Sequence, residues 1–127
     1  MKKILFDSDV LIERFRGRVE VEREIRDLAS EHAVIAYTPI TVAEIYRGLR
    51  SNEREKVELF LGTFTCLEIN RAVGKRAGEY LKTYSRSHGL ELADALIAAT
   101  AFVYDFQLCT FNWKHYPMSD IDKYRLI

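Results

Sequence analysis

Short apolar runs alternate with longer amphipathic stretches along this chain. Lys3-Ile4-Leu5-Phe6 ends at Asp7-Ser8; Ala33 to Tyr37, Thr65 to Ile69 and Gln107 to Thr110 are runs of the same kind, and Tyr124 to Ile127 is a weaker fifth. Runs this short, bounded by polar turn formers, predict buried strands. The stretches between them have helical spacing. Val21, Ile25 and Leu28 form a stripe among charges, and Ile45 and Leu49 follow Pro39, a first-turn residue behind Thr38 as cap. Val57, Phe60, Leu61 and Phe64 make another stripe, and Asn70 to Ser87 is amphipathic up to His88-Gly89, a left-handed helix end. Leu90 to Phe106 is apolar on nearly every side, which predicts a core helix. Strands alternating with helices predict an α/β fold, a three-layer α/β/α sandwich around a mainly parallel sheet. No linker, repeat or low-complexity tract divides it, so a single domain over residues 1–127 is expected.

Composition narrows the function classes. With 127 residues, 48% of them hydrophobic and 30% charged, the chain is long enough for one core. Nineteen basic residues balance nineteen acidic ones, so any contact with a polyanion must use a local patch. Cys66 and Cys109 sit in apolar runs as expected buried thiols, with no C-x-x-C pair for zinc or redox work. The apolar run before Asp7 is too short for a signal peptide, and no segment reaches the ~18 apolar residues of a membrane span. The expected compartment is the cytoplasm.

Functional groups of such sheets gather outside the carboxyl ends of the strands, so the carboxylates there carry the chemistry. Asp7 stands at the end of the first strand with Asp9 two residues on; Asp7 or Ser8 serves equally well as a helix cap. Asp94 is the only charged residue from Leu92 through Tyr104. It needs a partner, a metal or a neutral form if buried, and otherwise points to water in a first turn. Glu44 ends Thr41-Val42-Ala43-Glu44, a T-x-x-E capping box; with Thr38 as cap and Pro39 as first helical residue, it is free for other work. Carboxylates converging at one edge repel unless a hard cation holds them, and such a cation activates water for attack on phosphorus. The scattered His32, His88 and His115 argue against zinc, and no G-x-S-x-G supports a serine nucleophile.

Four blocks carry a family resemblance: Asp7-Ser8-Asp9-Val10-Leu11-Ile12, Thr41-Val42-Ala43-Glu44, Leu92-Ala93-Asp94-Ala95-Leu96-Ile97, and Leu108-Cys109-Thr110-Phe111-Asn112-Trp113-Lys114-His115-Tyr116. In this order they resemble the PIN-domain ribonucleases, and among these the VapC toxins of type II toxin–antitoxin modules. The resemblance implies a metal-dependent endoribonuclease acting on single-stranded or loop RNA, with Asp7, Glu44 and Asp94 as the acidic pocket and Mg2+ or Mn2+ as cofactor. It implies that Thr110 orients a carboxylate and that Asn112 lies at the pocket edge. It further implies a homodimer and a cognate VapB-type antitoxin. Many members carry a fourth acid where this chain has Asn112 or His115. Asp9 is then the candidate for an additional, water-mediated ligand.

For RNA, Arg47 and Lys114 share segments with the pocket and are the better phosphate contacts; Arg50 and the helical row Arg71, Lys75, Lys82 and Arg86 are further basic groups. Tyr46, Trp113 and Tyr116 are candidate base stackers that serve equally as core. Two rival readings exist. A haloacid dehalogenase-like phosphohydrolase would use Asp7 as nucleophile and Asp9 as acid, and needs a later lysine and acidic pair at the same edge. A non-catalytic receiver-like domain would want its acid after the third strand, where this chain has Ile69-Asn70.

Overall fold

Alternation along the first strand decides the layers. Ile4 and Phe6 point to one face of the sheet and Leu5 to the other, and all three are fully buried, so both faces must be covered. In the computed structural model, which describes residues 1–126, β1 (Lys3–Phe6), β2 (Val34–Tyr37), β3 (Thr65–Cys66) and β4 (Gln107–Cys109) form a parallel sheet in the order β3-β2-β1-β4. On one face, Ile4, Phe6, Ile35 and Tyr37 pack against α1 (Ser8–Phe15), α2 (Val19–Ser30), α3 (Pro39–Arg47) and α4 (Arg54–Thr63). On the other, Leu5, Ala36 and Leu108 pack against α5 (Arg71–His88) and α6 (Leu92–Tyr104). This is the three-layer sandwich the pattern predicts.

Local chemistry sets the helix boundaries. The Thr38 hydroxyl accepts from Thr41 N at 3.4 Å with Pro39 next in line, and Asn70 Oδ1 accepts from Val73 N at 3.0 Å. Gly89 (φ 62°) ends α5 in the left-handed region. Asp105 (φ 60°) does the same for α6, a position where only glycine, asparagine and aspartate are comfortable.

Three expectations about strands and helices need correction, and a fourth about Cys66. The third run pairs only over Thr65–Cys66, because it lies at the sheet edge and Leu67 N makes the last bond, to Tyr37 O at 2.8 Å. The expected fifth strand, Tyr124 to Ile127, reduces to one parallel bridge between Lys123 and Leu108, with Tyr124 N donating to Leu108 O at 2.8 Å; Ile127 lies outside the described residues. Finally, α6 is not buried all round: Leu92, Phe102 and Val103 are exposed, and the Arg76 guanidinium lies 3.9 Å from the Phe102 ring centroid. The buried thiol expected at Cys109 is found, its pKa pushed up to about 12 by burial, whereas Cys66 is only half-buried on the edge strand.

Candidate active site

The order β2-β1-β4 places the ends of β1 and β4 side by side, and Asp7 N donates to Cys109 O at 2.9 Å across that gap. Asp7 and Thr110, the residues that follow the two strands, therefore meet. Thr110 Oγ1 donates to Asp7 Oδ2 at 2.8 Å, and the buried Tyr116 hydroxyl donates to the same oxygen at 2.9 Å. Asp7 Oδ1 accepts from Ser8 N at 2.7 Å, so Asp7 is both the cap of α1 and a member of the site. The cap reading holds, and it leaves the same carboxylate at the strand edge.

Asp9, in the first turn of α1, lies at the same edge. Its Oδ2 accepts from Phe111 N at 3.1 Å and lies 3.3 Å from Thr110 Oγ1. Ser8 points the other way: its hydroxyl donates to Glu44 Oε1 at 2.5 Å and lies 3.0 Å from Thr41 Oγ1. Because Thr38 caps α3, Glu44 is not used in a capping box and extends toward Ser8. Asp94 is half-buried in the first turn of α6, with Oδ1 3.5 Å from the Tyr116 hydroxyl and Oδ2 3.9 Å from His115 Nδ1.

The structure thus gathers Asp7, Asp9, Glu44 and Asp94 around one edge, linked by hydroxyls. It does not draw them into a ready-made cage: among the described residues no three His, Cys, Asp or Glu side chains are close enough to hold a metal ion together as they stand. Asp7, Glu44 and Asp94, expected as one acidic pocket, share this edge without direct contact between their carboxylates. Tyr116 Oη stands between Asp7 and Asp94, and Ser8 Oγ stands between Glu44 and the strand end.

Electrostatically the site is under tension. Burial raises the Asp7 pKa; the Thr110 and Tyr116 hydroxyls and the Ser8 amide lower it part of the way, and the Glu44 charge adds to the rise. Asp9 is pushed up to about 6, by burial first and the Asp7 charge second. Asp94 is raised by burial, then by Asp7, against the pull of His115. Among the described residues no lysine or arginine lies within ion-pair distance of any of the four. A desolvated all-oxygen set without a lysine or arginine counter-ion suits a hard divalent cation, and magnesium takes only one or two carboxylates directly and keeps several waters. The residues present fit such an ion, with no closed cage required.

The other sequence candidates divide. Arg47 lines a concavity of about 190 Å³ with Glu44 and Arg16. Lys114 is exposed on a 3-10 turn, Trp113–His115, beyond β4. The exposed Asn112 donates its backbone N–H to Thr110 Oγ1 at 3.1 Å. Tyr46 is bonded to Glu58, away from the acids, and Trp113 packs on the core beneath the Arg125 guanidinium. Tyr116 is no base stacker, because its ring is 1% exposed. Sequence reasoning missed Ser8 and Tyr116 as the hydroxyls that hold the carboxylates. Their signal, a hydroxyl beside each acidic block, is too common to single out.

The rival readings lose their geometry here. No lysine pairs with Asp7 or Asp9; Asp120 is tied to Arg76 and Tyr80, and Asp122 O accepts from Leu108 N at 2.8 Å beside the strand, so no later basic and acidic set reaches the edge. The receiver-like reading would place its acid after β3, at the opposite edge of the sheet from β4, with β2 and β1 between them.

The PIN domain model matches residues 4–122. Ribonuclease VapC10 of Mycobacterium tuberculosis is 40% identical over 116 residues, covering 91% of this chain and 86% of the relative. Among solved structures, a toxin–antitoxin complex from Klebsiella pneumoniae has a chain with a TM-score of 0.77 and 26% identity, covering 96% of this chain and 98% of that one. A chain of VapBC2 from Rickettsia felis, bound to a promoter DNA fragment, has a TM-score of 0.82 at 20% identity over 97% of this chain and 98% of that one, a likeness of fold. The strand order, the hydroxyl-linked acids at the β1–β4 edge and these matches agree, and the chain belongs to the PIN-domain family.

Proposed function

We propose that this protein is a divalent-metal-dependent endoribonuclease, the toxin of a toxin–antitoxin pair, working as one PIN-like unit over residues 1–127. The observation that carries the reading is the set of four carboxylates with no lysine or arginine partner among the described residues, in a chain 40% identical to a ribonuclease VapC. Asp7 and Asp94 would hold the ion, Mg2+ or Mn2+, and Glu44 and Asp9 would support it. When bound, it activates a water molecule and offsets the charge that develops on the departing oxygen. Thr110 and Tyr116 favour the ionised form of Asp7 by donating to Oδ2, which leaves Oδ1 the Ser8 amide to accept. Ser8 fixes the side chain of Glu44. Arg47 and Lys114 contact RNA phosphates at the rim, sequence-blind and salt-dependent.

A small VapB-type antitoxin is the expected partner, supported by the toxin–antitoxin complex that this chain resembles at 26% identity, and a homodimer is the expected assembly. No helix among the described residues is long and apolar enough to cross a membrane, and the cytoplasm is the proposed compartment. The test is cleavage of single-stranded RNA by the purified protein with Mg2+ or Mn2+. EDTA should stop it, and Asp7→Asn should abolish it in a folded protein. Cleavage that persists in the Asp7→Asn preparation would defeat the reading.

A further inference from the structure

Beside Asp9 lies an open concavity of about 470 Å³ lined by Ile12, Glu13, Arg16, Arg18, Phe111 and Asn112 along with that carboxylate. Its volume is within the ~300–1,000 Å³ of ordinary small-ligand clefts. Two features mark it. Phe111 is one of the few large apolar side chains left exposed (37%), although it directly follows the buried Thr110. Its ring has the Arg18 guanidinium 4.6 Å from its centroid, and that arginine is itself half-exposed, tied otherwise only to Glu20 at 3.4 Å on the surface.

We propose that Phe111 and Arg18 form a nucleobase-stacking subsite, which holds an unpaired base of the RNA next to the phosphate to be cut. The inference rests on the ribonuclease reading and specifies how its substrate is gripped. An aromatic face and a planar guanidinium are the two surfaces on which unpaired bases stack. Here they already face each other, and a base enters between them as the arginine moves outward on its flexible stem. The placement is fixed from below: Phe111 N donates to Asp9 Oδ2 at 3.1 Å, so the ring is anchored one residue from the hydroxyl that holds Asp7. A base on this ring sets its own phosphate beside the acid edge. Arg16, whose side chain is 72% exposed and whose partner Glu13 lies 3.6 Å away, is placed to meet a backbone phosphate at the outer rim.

A peptide side chain from a protein partner is the competing occupant. The lining disfavours it, because Ile12 and Phe111 are its only apolar members and an apolar anchor would have to desolvate Asp9, Glu13, Arg16 and Arg18. Stacking tolerates every base, which fits a subsite that positions the strand without reading its sequence.

The experiment is steady-state cleavage of a short single-stranded oligoribonucleotide by the full chain with Mn2+, comparing Phe111→Ala, Phe111→Trp and Arg18→Ala with the wild type. Phe111→Ala should raise KM about tenfold or more, the effect of losing one stacked base, with kcat within about twofold. Phe111→Trp should restore KM, and Arg18→Ala should raise it less than Phe111→Ala. Oligonucleotides carrying one abasic site, walked along the strand, should contain one position that weakens wild-type binding and is neutral for Phe111→Ala. Binding is measured in the Asp7→Asn background to prevent cleavage. An unchanged KM for Phe111→Ala, a KM rise not rescued by Trp, or lost affinity for a protein partner at unchanged KM would each overturn the subsite while leaving the nuclease reading in place. Absence of any metal-dependent cleavage by the wild type would instead remove the reading on which the subsite rests.

Discussion

Asp7→Asn tests stability before it tests activity. Asp7 is buried and repelled by its acidic neighbours, so in metal-free protein its ionised form costs folding free energy. The amide removes the charge and keeps the shape. Its oxygen can accept from Ser8 N, as Oδ1 does now, while the NH2 turns to Thr110 Oγ1 and Tyr116 Oη. Both hydroxyls can then rotate and accept, because Thr110 has Asp9 Oδ2 at 3.3 Å and Tyr116 has Asp94 Oδ1 at 3.5 Å as alternative acceptors. Little hydrogen bonding is lost and one like-charge contact is relieved, so the EDTA-treated variant should gain about 1–2 kcal/mol at pH 8, or roughly 4–8 °C in melting temperature for a domain of this size. With millimolar Mn2+ the order should reverse, since a ligand that binds only the folded wild type stabilises it by mass action. Thermal melts with EDTA and with Mn2+, at pH 8, supply the four numbers. An EDTA-treated variant melting well below the wild type would show that Asp7 is mainly a structural cap and that the electrostatic reasoning is wrong.

Other perturbations address neighbouring groups. Asp9, whose pKa of about 6 in the folded chain exceeds the 3.8 of an ordinary aspartate, ionises first in the unfolded chain. It therefore destabilises the metal-free protein progressively as pH rises from about 4 to about 6; the difference in melting temperature between wild type and Asp9→Asn should open across that window and stay flat above it. Tyr116→Phe keeps a buried ring and removes one donor from Asp7, which should raise the carboxylate's pKa further and lower kcat/KM about tenfold at pH 7; a pH–rate profile with its acid limb unmoved would contradict this. Asn112→Asp adds a charge beside Asp9 in the concavity they share, and calorimetric titration of Mn2+ should show tighter binding; weaker binding would mean that like-charge repulsion outweighs the added ligand.

The elements most legible in the sequence are those whose chemistry is local. Thr38-Pro39 and Asn70 announce helix starts, Gly89 a helix end, and the four apolar runs the strands, because caps and alternation depend on a few adjacent residues. Where the reading failed, the cause was long-range. Whether Tyr124 to Leu126 extend a strand depends on how much of β4 is left to pair with, and only Leu108 is available. The exposure of Phe102 and Val103 depends on α5 covering one side of α6 and not the other. At the candidate site, Asp7, Glu44 and Asp94 stand out in the sequence by type and position. Ser8 and Tyr116 do not, because the hydrogen bonds that matter span 36 and 109 positions.

Those hydroxyls explain how an acidic edge can be built without its usual counterweight. A buried carboxylate is normally stabilised by an arginine or lysine, which would lower its pKa more strongly than a hydroxyl does. At this edge such a cation would occupy the position a divalent ion needs, and its own charge would repel that ion. Thr110, Tyr116 and Ser8 donate hydrogen bonds with no net charge, so they orient Asp7 and Glu44 and leave the site's negative potential intact. The residual cost is visible in the raised pKa values of Asp7, Asp9 and Asp94. Placing an arginine at position 116 would therefore be expected to relieve that strain and abolish metal binding together; a Tyr116→Arg protein that still bound Mn2+ as tightly as the wild type would refute this account of why hydroxyls were used.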